Sequence, residues 1–399
     1  MDRRSGAPRI GDPPTPGTAA PISVAPVPET GQPAVDAGQP IPFNNEAKVS
    51  VARPAERRAP SAYGALDLGT NNCRLLVARP SRRGFQVIDA FSRIIRLGEG
   101  VTQTGRLSDA AIERTLDALK VCSDKMRRRN VRRSRLIATE ACRVAENGEA
   151  FVERVFEATG LRIEVIDRET EAKLAVAGCA SLLDRRCDWA VVFDIGGGST
   201  ELIWVDLRRV SYSKRHALWD RTEVQAAIAA WTSMPVGVVT LAEQFGGRAV
   251  DAGLFEAMVA FVLQELTPFE EEHGFLRNVA LKNVHLMGTS GTVTTIAGVH
   301  LALPAYNRNK VDGCWLNEHE VRAVSGRLLG LSYQDRALEP CIGPDRADLV
   351  LAGCAILEAI MRLWPCHRLR VADRGLREGI LTSLMAEDMR KGRNERGRG

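Results

Sequence analysis

The chain has 399 residues, 45% of them hydrophobic and 26% charged, with a formal net charge of +5; this is the balance of a soluble globular protein with room for two domains. Nine cysteines, odd in number and without a C-x-x-C pair, and six dispersed histidines without an H-E-x-x-H spacing give no expectation of a disulfide framework or a zinc site. No secretory signal and no apolar run of membrane-spanning length is read, so a cytoplasmic protein without membrane contact is expected.

Residues 1–61 are rich in Pro, Ala and Gly, have no apolar period and read as a disordered leader. Tyr63–Arg79 reads as strand, turn, strand, and Gly84–Phe91 as a further strand. Ser108 is a candidate N-cap for a helix through about Arg128, with Ile112, Leu116, Leu119 and Met126 on one face. A short strand Arg135–Thr139, a helix from about Glu149 to Gly160, a strand Arg162–Ile166 and a helix from about Glu169 to Leu183 follow. The pattern restarts at Trp189–Asp194, which puts a boundary near Leu183–Asp188 and domains at 62–185 and 186–388. Val284–Gly288 runs into Thr289-Ser290-Gly291-Thr292 and a helix over Val293–Val299, an arrangement that aims free amides and a positive helix end at an anion. Leu369–Ala372 leads through Asp373-Arg374-Gly375-Leu376-Arg377-Glu378-Gly379 into a last helix, and 389–399 reads as a basic disordered tail. This alternation predicts α/β layers with crossover helices.

Lys125–Arg135 (KMRRRNVRRSR) is a dense cationic block. It reads either as a solvated helix end or as an electrostatic guide for a polyanion. No aromatic platform or nucleic-acid motif accompanies it, so dedicated nucleic-acid binding is not expected.

One pattern occurs twice. Asp67-Leu68-Gly69-Thr70-Asn71-Asn72-Cys73-Arg74 aligns with Asp194-Ile195-Gly196-Gly197-Gly198-Ser199-Thr200-Glu201. In each copy an Asp ends one apolar run and small residues turn into the next. Glycines permit positive φ and close backbone approach, and successive amides of such a turn form an anion-binding nest. An Asp at the strand end suits Mg²⁺, which takes few carboxylates and several waters and phosphate oxygens. Two such turns predict two half-domains facing across a cleft, and phosphate chemistry in it.

These motifs, followed by Gly-Thr-Ser-Gly-Thr (288–292) and Leu-Arg-Glu-Gly (376–379), resemble the exopolyphosphatase/guanosine pentaphosphatase (Ppx/GppA) family over about Tyr63–Leu384. The resemblance implies two duplicated ribonuclease-H-like (actin-like) domains with a cleft between them. It also implies Mg²⁺-dependent removal of a terminal phosphate from inorganic polyphosphate or, alternatively, from guanosine pentaphosphate. It carries the metal to Asp67, Asp194 and Glu201. Phosphate contacts fall to Gly69, Thr70, Asn71, Arg143, Gly196, Gly197, Gly198, Ser199, Gly288, Ser290 and Gly291, and the water-activating base to Glu171 in Thr170-Glu171-Ala172-Lys173. Ala372 and Arg374 depart from the family's small residues, which leaves the role of Asp373 open. Longer members add a helical domain for which this chain has no room, so a homodimer is expected to replace its polyphosphate-holding surface. Arg308–Asp312 reads as a surface loop. A reading from a different class is an ATP-switched actin-like module, which needs an adenine pocket near Gly288–Thr292.

Overall fold

Strands that are apolar at nearly every position are stable only where both faces are covered. A computed structural model, describing residues 61–81, 84–210, 221–280 and 283–396, shows how this is achieved. The leader, apart from Ser61, lies outside the described residues.

The first sheet holds β1 (Ala62–Leu68), β2 (Asn72–Ser81), β3 (Gly84–Ile94), β4 (Val131–Ala138) and β5 (Glu164–Val165), in the order β3-β2-β1-β4-β5. The second holds β6 (Trp189–Ile195), β7 (Thr200–Asp206), β8 (Ile228–Met234), β9 (Val284–Thr289), β10 (Trp315–Leu316) and β11 (Leu369–Val371), in the order β10-β11-β9-β6-β7-β8. Each is an antiparallel three-stranded meander continued by two parallel strands; β10 is an added antiparallel edge. The duplication read from the two turns is therefore a duplication of whole half-molecules.

Alternate residues of each hairpin serve different cores. Leu66, Leu68, Leu75 and Val77 pack with Ile112, Leu116 and Leu119 of the helix Asp109–Arg128, whose N-cap Ser108 accepts from the Ala111 amide at 3.3 Å. On the other face, Ala65, Leu76 and Ala78 meet Ile380, Leu381 and Leu384 of the last helix. In the second sheet Phe193, Leu202 and Trp204 enter the largest core, while Val192, Ile203 and Val205 pack against Ala172, Val176 and Cys179.

Three expectations change. The last helix, Leu376–Arg396, lies on the first sheet, so residues 376–388 belong by packing to the first half-molecule. It also continues through most of the basic tail, whose Met, Glu, Arg and Lys are straight-chain helix formers. Among the described residues one helix, Ala252–His273, is long and apolar enough by composition to cross a membrane; its Phe255, Met258, Val259, Val262 and Leu266 are buried in the second core.

The helix Arg168–Cys179 and the helix Leu376–Arg396 cross in backbone contact. Gly178 sits so close to the Gly375 carbonyl, and Gly379 to the Leu174 carbonyl, that a Cβ at either would fall inside the facing oxygen. Gly178→Ala should therefore destabilise the protein by at least about 2 kcal/mol, as overpacking against rigid backbone does. Gly326→Ala is the control: it is exposed inside the helix Glu318–Gly330 with open space around it. Helix propensity should make it neutral to stabilising by up to about 1 kcal/mol. Urea titration of both variants checks the pair.

Candidate active site

The two turns are geometric twins. Asp67 pairs across its hairpin with Arg74, and Asp194 holds the same register position opposite Glu201. Gly69 N–H donates to Asn72 O at 2.9 Å, and Gly196 N–H donates to Ser199 O at 2.9 Å. The turn carbonyls are engaged from behind. Thr70 O and Asn71 O accept from the amides of Gly98, Ile95 and Arg96; Gly196 O and Gly197 O accept from Val238, Val239 and Thr240 at the start of the helix Val238–Phe245. Among the described residues the amides of Thr70, Asn71, Gly197 and Gly198 have no protein acceptor, which is how an anion nest is built. The turns also touch: a Cβ on Gly198 would lie 2.7 Å from Thr70 Oγ1, and one on Gly197 would lie 3.0 Å from Thr70 Cβ.

Most of the expected residues line this cleft: Asp67, Gly69, Thr70, Asn71, Glu171, Asp194, Gly196, Gly197, Gly198, Ser199, Glu201 and Ser290. Ser290 begins its helix with φ 77, a left-handed conformation that is strained for a non-glycine residue. Three others do not line it. Gly288 is a packing glycine, since a Cβ there would lie 2.5 Å from Val293 Cγ1 and 2.7 Å from Phe193 Cζ. Gly291 lies one residue into the helix after Ser290, where the nearest group to a Cβ would be Arg74 Nη2 at 4.0 Å. Arg143 stands behind Glu171. Its Nη2 donates to Glu171 Oε2 at 3.0 Å, and its Nε and Nη2 donate to the buried Glu140 at 3.0 and 2.7 Å.

Asp67 and Asp194 are the plainest metal candidates. Burial pushes both carboxyls above their ordinary range; Arg74 and Arg377 pull Asp67 the other way, and the Thr289 hydroxyl, Arg74, the Ser290 hydroxyl and Arg377 do so for Asp194, yet neither Asp makes an ion pair among the described residues. Glu201 is engaged elsewhere: its Oε1 accepts from Ser199 Oγ at 2.7 Å and from Ser233 Oγ at 2.9 Å. No group of three acidic, His or Cys side chains gathers as a metal cage among the described residues. Two half-buried carboxylates close enough to repel each other, and without an ion pair, still fit Mg²⁺, which completes its shell with water and phosphate oxygens. Buried Asn71 Oδ1 and Asn72 Oδ1, without a protein donor, add to the site's unmet polar capacity.

Glu171 opens its helix, where the dipole alone would lower its pKa. Burial, then the charge of Glu201, instead raise it well above the ordinary value, against the pull of Arg143. Glu201 is itself pushed up to about 7, by burial and then by Asp194. The motif reading missed Arg74, Thr139, Arg374 and Arg377, which also line the cleft. Arg74 was open to detection, because it occupies the position equivalent to Glu201.

Two basic features have other roles. The block Lys125–Arg135 runs from the end of the helix Asp109–Arg128 into β4, where Val131 lies about 23 Å of strand before Ala138 and Arg135 about 10 Å before it. Lys125 and Arg129 pair with Asp89, Arg127 with Asp124, Arg133 with Glu387 and Arg135 with Glu164, and none of the block lines the cleft. Arg308 is no loop residue. It sits in a short helix, Arg308–Val311, and donates to Glu378 Oε1 at 2.7 Å and to Asp373 O. Asp373 in turn accepts from Tyr306 OH at 2.7 Å, so it anchors the turn before the last helix.

The Glu201 shift carries a pH dependence. A carboxyl raised from 4.5 to about 7 stabilises the fold below its unfolded pKa, and that stability is lost as pH rises through about 7. With chelator present, Glu201→Gln should match the wild type near pH 4.5 and exceed it by about 1 to 3 kcal/mol at pH 8. Parallel melting curves for the two proteins across that range would show that Glu201 is not raised.

The family model described as the Ppx/GppA phosphatase family matches residues 76–388. The chain is similar to exopolyphosphatase 2 of Mycobacterium tuberculosis, 29% identical over 336 residues that cover 80% of this chain and 97% of that protein. It is also similar to the guanosine-5'-triphosphate,3'-diphosphate pyrophosphatase of Aliivibrio fischeri, 28% identical over 333 residues, 82% of this chain; it spans only 60% of that relative's length. The crystal structure of the Aquifex aeolicus Ppx/GppA family member superposes with a TM-score of 0.64 at 28% identity, covering 82% of this chain and 98% of that one. An exopolyphosphatase from Cytophaga hutchinsonii superposes with a TM-score of 0.71 at 21% identity, a likeness of fold, covering 82% and 98%. With the twinned turns, the cleft between two like half-molecules and this match over most of its length, the chain belongs to the Ppx/GppA phosphatase family.

Proposed function

We propose that the chain hydrolyses the terminal phosphoanhydride bond of inorganic polyphosphate and releases orthophosphate. The observation that carries this reading is Glu171, a carboxylate of raised proton affinity held against Arg143 and facing the two amide nests. Phosphoryl transfer to water needs positioning and charge neutralisation more than covalent help. The amides of the two turns bind the oxygens of the terminal phosphate. Arg143 steadies Glu171, whose Oε takes the proton from the attacking water as the water oxygen bonds to phosphorus and the bridging P–O bond breaks. Asp67 and Asp194 would hold Mg²⁺, which would supply further neutralisation of phosphate charge.

Guanosine pentaphosphate is the second reading, since the same cleft serves either terminal phosphate. Polyphosphate is favoured because the chain spans 97% of the relative named exopolyphosphatase and 60% of the one named for the guanosine compound. The ATP-switch reading finds little support, since Phe193 and Val293 fill the space beside Gly288 and Gly353 packs directly on Thr292.

Phosphate release from long-chain polyphosphate, guanosine pentaphosphate and ATP, at equal terminal-phosphate concentration, ranks the readings. Polyphosphate should be fastest and ATP slowest; the reverse order would overturn the proposal. Glu171→Gln should cost about 10²-fold or more in kcat with the fold retained. Asp194→Asn should raise the Mg²⁺ concentration for half-maximal rate by about tenfold or more, by loss of a carboxylate ligand.

A further inference from the structure

Each turn is braced from behind, and the two braces meet. Behind the first turn, the segment 95–98 donates to Thr70 O and Asn71 O, and Gly98 packs against the Thr70 side chain too closely to admit a Cβ. Behind the second turn, the start of the helix Val238–Phe245 donates to Gly196 O and Gly197 O, and Gly237 likewise has no room for a Cβ against Gly197. Glu243 projects from that helix to the other brace. Gly100 N–H donates to its Oε1 at 2.8 Å, and Thr102 Oγ1 donates to its Oε2 at 2.6 Å. A second tie runs alongside: Arg96 Nη2 pairs with Asp348 Oδ2 at 3.0 Å, and the Asp348 carbonyl rests on Gly247 just past the end of the same helix.

We propose that Glu243 is a positioning residue that latches the two half-molecules, setting the two amide nests at the spacing at which both address one phosphate. One exposed hydrogen bond would contribute little. Here a single carboxylate takes two donors from the opposite half; its own helix is hydrogen-bonded directly to one nest, and the turn it grips is tied to the brace of the other through Val101 N–H donating to Gly98 O at 3.2 Å. The halves meet at the helix crossing of Gly178 and Gly379 and where the turns touch, and the latch adds a tie behind the turns. With the latch broken the competent arrangement is only part of the population, and apparent affinity falls by that fraction while the closed complex still reacts.

The kinetic arm of the test rests on the proposed phosphohydrolase reading; the exchange arm does not. In full-length protein, Glu243→Ala should raise KM for polyphosphate about tenfold or more with kcat within about threefold. It should also speed amide hydrogen exchange over 98–102 while leaving the helix Asp109–Arg128 protected. Glu243→Gln keeps an oxygen for the Gly100 amide and should fall between. Thr102→Val, which removes one donor from the opposite half, should shift both readouts the same way, and it serves where Glu243→Ala folds poorly. Unchanged KM and unchanged exchange in both Glu243→Ala and Thr102→Val would overturn the latch. If the wild type releases no phosphate from any substrate, the function fails and exchange alone decides: faster exchange over 98–102 supports the latch, and unchanged exchange overturns it.

Discussion

The structure depends on the backbone contact between the helices Arg168–Cys179 and Leu376–Arg396. Each helix serves the half-molecule other than the one its sequence position suggests. Ala172, Val176 and Cys179 pack beneath the second sheet, and Ile380, Leu381 and Leu384 beneath the first. Two glycines let the helices touch, and this close approach places both N-termini at the cleft, one bearing Glu171 and the other Arg377. A bulkier crossing would separate the two sheets and, with them, the two turns. The site's geometry thus depends first on an uncharged backbone contact at which no chemistry occurs.

The duplication supplies the scaffold, and its divergence supplies the electrostatics. At one register position the first half has Arg74 and the second has Glu201, each directly across from an Asp. The first pair is near neutral, whereas the second concentrates negative charge in a buried place. Burial and like charge then hold a proton on Glu201 near neutrality and raise Glu171 as well. At the first turn of a helix a carboxylate would ordinarily be too acidic to serve as a base. For Glu171, burial first and then the charge of the second hairpin oppose that effect.

What the sequence disclosed and what it hid follow from the range of the interactions. The twin turns, the Ser108 cap and the amphipathic helix after it are local patterns, and they stand where the residues place them. The strand expected over Arg162–Ile166 shrinks to Glu164–Val165, because it is an edge that pairs only with the end of β4. The last helix could not be assigned to the first sheet, since its partners Tyr63, Ala65 and Leu76 lie at the other end of the chain. Gly288 showed the ambiguity of glycine: the missing Cβ admits Phe193 and Val293 rather than a phosphate. The ion pairs of the cationic block were hidden for a related reason: Asp89, Glu164 and Glu387 are distant in sequence and close in space.

The contact between the turns bears on which phosphate the cleft takes. Gly197 and Gly198 press on Thr70 and Asn71, so the nests converge on a small volume. Glu171, paired with Arg143, lines the same cleft. On the proposed reading, a phosphate that meets both nests and Glu171 with three of its oxygens has one left to bridge. A chain end has a single bridging oxygen and fits, whereas an internal phosphate has two and would drive its second neighbour into protein. Preference for the terminal bond then follows from the shape of the enclosure, with no need for a group that senses chain length.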